Sequence, residues 1–231
     1  RCSVPSRRYT FTGAEATAPT LATFDEATTN AAYRGLAARG TFVTPTLNGS
    51  RITAYLDQDN HAADPYLAYI GPGLKGTYAW RVERAAKDDA AAIARRHAIY
   101  ERNVSLLPLL QGAGVSILAG TDAGFLNSFN YPGIGLHDEL QVFVDGGLTP
   151  LQALQASVIN GPRFLGKTEH YGAVAAGKAA DILILDQNPL ADIAATRKIH
   201  GIVLKGRYFD RTALDEMLKN AREQVAKGEG A

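Results

Sequence analysis

With 231 residues and 46% hydrophobic content, the chain can bury one large core or two small ones. Its 24 Lys and Arg against 23 Asp and Glu leave a formal charge of +1, and no basic tract could neutralise a row of phosphates, so nucleic acid is not an expected partner. Cys2 is the only cysteine, which excludes an internal disulfide and a cysteine-built zinc knuckle, and no apolar run reaches membrane-spanning length; a soluble protein of a reducing cytoplasm is the expectation.

Residues 1–20 are rich in Ser, Thr, Pro and Arg without a period and read as an irregular arm. The Ala-rich FDEATTNAAYRGLAA of residues 24–38 reads as a helix, with Asp25 and Glu26 at its positive end and Gly40 just past its end. TFVTPTL, residues 41–47, is β-branched and predicts a strand ended or kinked at Pro45. Residues 50–77 hold Asp, Asn, Gly, Pro and several tyrosines without strong periodicity and read as a binding or lid segment. Residues 78–112 predict one long helix, in which Ile93, His97, Tyr100, Val104 and Leu107 form an apolar stripe and Pro108 a late kink.

GVSILAGTDAG then predicts a short strand that delivers Asp122 at its C-terminal end. Helices follow over residues 137–145 and 149–160, the second with Thr149 as N-cap and Pro150 at its first position. After Tyr171, GKAADILILD and IHGIVLKGRYFD read as strands of a small β region, and residues 212–231 as a charged helix frayed beyond Lys227. The domain boundaries implied are an arm (1–20), an α/β segment with a long helix (21–170), a small β region (171–211) and a terminal helix (212–231).

The succession VTPTL, long helix, AGVSILAGTDAG, GLHDELQVFVDGGLTPLQALQASVINGPRFLG and GAVAAGKAADILILDQNPLADI resembles the C-terminal part of a metal-dependent amidohydrolase of the imidazolonepropionase and cytosolic dipeptidase-like branch. The resemblance implies an α/β fold: a partial, incomplete TIM-like (βα) barrel segment followed by a small β region. It also implies that Asp122 matches the metal-binding aspartate after the eighth strand. The family's other ligands, an HxH pair, a bridging lysine or carboxylate and two further histidines, have no counterpart, because His61, His97, His137, His170 and His200 do not fall at those positions.

Several residues are candidates for chemistry. A strand-end carboxylate such as Asp122 can hold a metal and accept a proton from its water. His137, at the start of the next helix, is a candidate second ligand on the same cleft, with Asp138 and Glu139 as further oxygen donors. His61 is a further candidate beside Asp57, Asp59 and Asp64, although their spacing matches no known metal loop; His97, on an apolar stripe, reads as a packed core histidine. Tyr55, Tyr66 and Tyr69 combine a large face with a polar tip and could line a substrate pocket or an oligomer interface.

The expected function is a hydrolase using a divalent metal, zinc first among them, to attack an activated ester, lactone, amide or phosphotriester in a small-molecule substrate. The alternatives are a non-catalytic, self-associating remnant and one half of a split amidohydrolase. Two strands cannot close a barrel, so their edges predict a homo-oligomer.

Overall fold

Asp25 starts the first helix where the sequence places it: its carboxylate accepts the N–H of Thr28 at 2.7 Å, capping α1 (Glu26–Ala38). The computed structural model describes residues 21–124 and 127–229, so the predicted arm over residues 1–20 lies outside the described residues. The predicted strand 41–47 shrinks to β1 (Phe42–Val43). Pro45 brings no N–H, and Thr46 turns into the left-handed region at φ 51°, so the chain reverses and α2 (Leu47–Ala54) begins.

Residues 50–77 are less irregular than expected. They contain the end of α2, a 3-10 helix at Pro65–Tyr69 and α3 (Pro72–Lys75), a turn started by its proline. The predicted long helix divides into α4 (Ala79–Ala85), α5 (Ala90–Ser105) and α6 (Leu107–Gly112). Asp89 makes the first break by capping α5 through Ala92 N–H at 2.8 Å. Pro108 makes the second from the first turn of α6. The apolar stripe survives these breaks by serving two neighbours: α5 packs on α2, while Val104 and Leu107 reach the main core.

β2 (Ser116–Ile117) pairs with β1 in parallel, Phe42 opposite Ser116 and Val43 opposite Ile117, and Leu118 N–H extends the ladder to Val43 O at 2.8 Å. The two strands expected to present free edges therefore bond to one another. The outer flank of β2 is also closed: Ala119 N–H donates to Ala156 O at 3.1 Å, and the Asn160 side-chain amide to Ile117 O at 2.8 Å. These partners come from α8 (Pro150–Val158), which opens on the Thr149–Gln152 capping box, and α9 (Asn160–Phe164). Before them stands α7 (Ile134–Asp145), three residues longer at its start than predicted.

The small β region is an antiparallel sheet of β3 (Ile182–Leu185), β4 (Ile199–Leu204) and β5 (Arg207–Asp210), in that order, with an irregular register at Ile184/Leu185. The terminal helix α10 (Arg211–Glu229) packs on β4, β5 and the 3-10 helix Pro65–Tyr69. Among the described residues, no helix is long and apolar enough to cross a membrane.

One buried cluster gathers Leu107, Ile117, Leu140, Phe143 and Ala153 between the β1–β2 pair and helices α6 to α8. A second, around Ile52, Tyr78, Phe129 and Tyr131, ties α2 and α4 to the loop before α7. Each large side chain so buried contributes about 1.5–3 kcal/mol. The result is a mixed α/β fold in which the end of β2 is pinned from both sides.

Candidate active site

Beyond Ile117 the backbone runs through Gly120, where a Cβ would meet Thr44 Cγ2 at 2.7 Å, and reaches Asp122 at φ 53°. A left-handed aspartate is tolerated when its short side chain bonds locally. Here the Asn127 amide donates to Asp122 O at 2.5 Å and to its carboxylate Oδ2 at 2.9 Å. Asn127 is itself held by Arg81, whose Nη2 donates to Asn127 Oδ1 at 3.2 Å. The exposed carboxylate thus faces a cleft of about 240 Å³ in a fixed orientation, with Thr46, Ser50, Thr121 and Arg81 around it.

The floor of this cleft is fastened by a buried polar chain. Glu139, fully buried on α7, accepts Leu47 N–H at 2.9 Å and Asn48 N–H at 2.5 Å, and so satisfies the orphan donors at the start of α2 from the far side of the core. The Asn48 amide donates to Asn130 Oδ1 at 3.1 Å, and the Asn130 amide donates to Thr121 O, one residue before Asp122. Burial pushes the Glu139 carboxyl up from its ordinary range, against the opposing pull of the two backbone N–H groups.

Arg81 also borders a neighbouring groove of about 410 Å³ together with Arg84, Arg95 and Arg96. Burial and then the nearby Arg84 lower its guanidinium pKa. Arg96 is neutralised by Asp88 at 3.1 Å and Asp57 at 3.7 Å.

His137 does not join Asp122. Its ring lines a separate cavity of about 590 Å³, which shares no lining residue with the Asp122 cleft. The Gly- and Pro-containing loop before α7 does not fold the two side chains together; its Asn127 is committed to Asp122 and Arg81, and its Asn130 to Asn48 of α2 and to Thr121. His137 Nδ1 lies 3.0 Å from Thr196 Oγ1, whose own proton goes to Ile193 O at 2.9 Å. Nδ1 is therefore the donor, and burial, followed by Arg197, lowers the ring's pKa against the opposing pull of Asp138. Asp138 pairs with Arg197, and Glu139 caps α2.

His61 does meet Asp59 and Asp64: the three offer ligand atoms within 4.8 Å of one another. The His61 Nδ1–Asp64 contact of 3.0 Å, the Tyr131 hydroxyl donating to Asp64 at 2.8 Å and the stacking of His61 on Phe129 account for the cluster as a local hydrogen-bonded loop. Asp57 turns away to His97 at 2.9 Å, and His97, stacked on Tyr55 and only partly buried, is bonded but lies in neither buried cluster, where a core histidine was expected. Tyr66 and Tyr69 line the His137 cavity. Tyr55 stacks on His97 at 4.4 Å and lines neither that cavity nor the Asp122 cleft, because its ring is used to join α2 to α5.

Among the described residues, the Asp122 cleft offers a single carboxylate, no imidazole and a guanidinium. A zinc site needs at least three protein ligands, so these residues do not by themselves fit a resident zinc ion. Sequence reasoning passed over Asn48, Asn127, Asn130 and Arg81. The one available signal was a glutamate among the apolar residues of LHDELQVFV, a buried charge that requires partners.

Comparisons with known proteins bear on the family and the fold. The ochratoxinase of Aspergillus niger is 40% identical over 83 residues, which is 35% of this chain and 16% of that protein. The bottromycin amidohydrolase structure superposes with a TM-score of 0.66 at 21% identity, over 90% of this chain and 46% of that one. A Xaa-Pro dipeptidase with methionine in its active site superposes with a TM-score of 0.55 at 18% identity, over 77% and 36%. The chain thus spans less than half the length of each of these relatives. Since the profile of the Amidohydrolase family matches residues 18–208, most of its length, the chain belongs to the Amidohydrolase family.

Proposed function

We propose that this chain belongs to an amide-bond hydrolase of the imidazolonepropionase and cytosolic dipeptidase-like branch, in which Asp122 is the proton-transferring group. The observation that carries the reading is the carboxylate of Asp122 at the C-terminal end of a parallel strand, held by Asn127 and open to a cleft. Strand ends of that kind are where barrel enzymes place their chemistry, and β1 and β2 are read here as two staves of a TIM-like barrel, with the β region after residue 170 apart from it. Asp122 takes a proton from the attacking water as the C–O bond forms and returns it to the leaving nitrogen as the C–N bond breaks. Arg81, which lines both the cleft and the groove that Arg84 borders, would hold an anionic end of the substrate, such as a carboxylate.

The family's usual divalent metal, zinc first among candidates, enters this proposal with Asp122 as one ligand; the other ligands would come from outside the described cleft. A specific observation favours a second reading, one half of a composite site: no imidazole lines the cleft among the described residues. A partner segment or another copy of the chain would then complete the site.

Release of proline from Ala-Pro and Met-Pro, with zinc added, tests the proposal. Asp122→Asn is expected to lower kcat/KM at least about 100-fold, the scale of one general acid–base group, while Arg81→Gln mainly raises KM. Full activity in Asp122→Asn overturns the role of Asp122. An inactive wild type that gains activity only in a defined complex with a second chain selects the composite site.

A further inference from the structure

The cavity of about 590 Å³ that holds the His137 ring is independent of the Asp122 cleft and has the size of a small-molecule site. Tyr66 and Tyr69 of the 3-10 helix, Ile134 and His137 of α7, and Met217 and Leu218 of α10 line it, so three separate elements converge on one apolar space. Met217 and Leu218 remain about half exposed, at 49% and 48%, on a helix otherwise dominated by charged residues.

Among its polar groups, His137 has a defined tautomer. Thr196 uses its only proton on Ile193 O, so it accepts from His137 Nδ1, and Thr196 does not line the cavity. With Nδ1 committed to Thr196, Nε2 of this tautomer is an unprotonated acceptor, and the ring that carries it lines the cavity. The other charged liner, Arg211, is occupied by Asp215 at 2.8 Å and by Ile199 O at 3.3 Å. The walls therefore favour a flat apolar body, and the His137 acceptor favours a donor on it.

We propose that this cavity binds a flat aromatic molecule carrying one hydroxyl or N–H donor, which bonds to His137 Nε2 while its ring packs among Tyr66, Tyr69, Met217 and Leu218. The matched probes are 2-naphthol and 2-methoxynaphthalene, alike in shape and differing in the donor. Ligand-observed NMR titration of the purified chain is expected to show the naphthol binding at least about tenfold tighter, the value of one hydrogen bond of about 1.4 kcal/mol. His137→Phe should bring the naphthol down to the level of the ether. Met217→Trp, which fills the mouth without touching the core, should weaken both probes at least about tenfold with an unchanged thermal midpoint. Equal affinity for the two probes, no binding of either, or naphthol binding that ignores both substitutions would overturn the assignment.

Discussion

Glu139 Oε2 accepts the backbone N–H of Asn48 across 91 residues of sequence, so the start of one helix is capped by a carboxylate from the middle of another. Thr46, in the ordinary capping position, makes no such bond. The Glu139 carboxylate stands in for it, and through Asn48 and Asn130 the same group fixes the carbonyl of Thr121.

Replacing Glu139 by Gln keeps one acceptor oxygen and turns an NH2 group toward the second buried N–H. The variant should lose about 1–3 kcal/mol, the cost of one unsatisfied buried donor. The folded carboxyl pKa is raised, so its contribution is full below the ordinary value of 4.5 and declines as pH rises through the folded value. Urea unfolding at pH 4 and pH 7 should show the gap between wild type and variant narrowing at the higher pH; a gap that widens would contradict the burial argument.

Gly135 sits where a Cβ would run into Asn130 Oδ1, with Asn48 Nδ2 and Thr121 Cγ2 both at 3.5 Å. Gly135→Ala should therefore displace Asn130 rather than merely stiffen the helix, and cost about 1–3 kcal/mol. Hydrogen exchange at the amides of Leu47 and Asn48 is the sensitive readout: unchanged protection there would mean that Asn130 had room to move.

His137 carries a pH signature of opposite sign. Its folded pKa lies below the ordinary 6.5, so the contribution is complete above 6.5 and is lost as pH falls through the folded value, because the unfolded ring takes a proton first. His137→Asn, which can still donate to Thr196, should flatten this part of the stability profile between pH 7 and pH 5. A variant with the same slope as wild type would place the titration elsewhere.

Asn127 touches Asp122 twice and Arg81 once, and acts through them as a positioning residue. Asn127→Ala should cut kcat for the proposed hydrolysis by about tenfold, roughly 1.4 kcal/mol in the barrier, while Asn127→Asp keeps the contact with Arg81 but repels the carboxylate. If KM alone moved in Asn127→Ala, the bond to Asp122 would not matter to the chemical step.

The legible parts of this protein were those that local chemistry decides. Asp25, Thr149 and Pro150 announce helix starts, and GVSILAGTDAG announces a strand that ends on an aspartate. TFVTPTL misled because β-branched residues describe the first half of the segment, while the chain turns at Pro45 and Thr46 and gives Leu47 to a helix capped by a carboxylate 92 residues away. The separation of Asp122 from His137 was hidden for the same reason: Asn130 and Gly135, between them in sequence, are recruited by distant partners that no local pattern displays.

The closed flank of β2 makes the parallel pair one-sided. Ile117 and Ala119 are already bonded to Asn160 and Ala156, so among the described residues a further strand can be added to this pair only along β1, where Phe42 and Thr44 turn their backbone groups away from β2. If a second copy met the first at that edge about a two-fold axis, the two β1 strands would run antiparallel in a four-stranded sheet with both outer rims already blocked. At this sheet, association of that kind would stop at two copies.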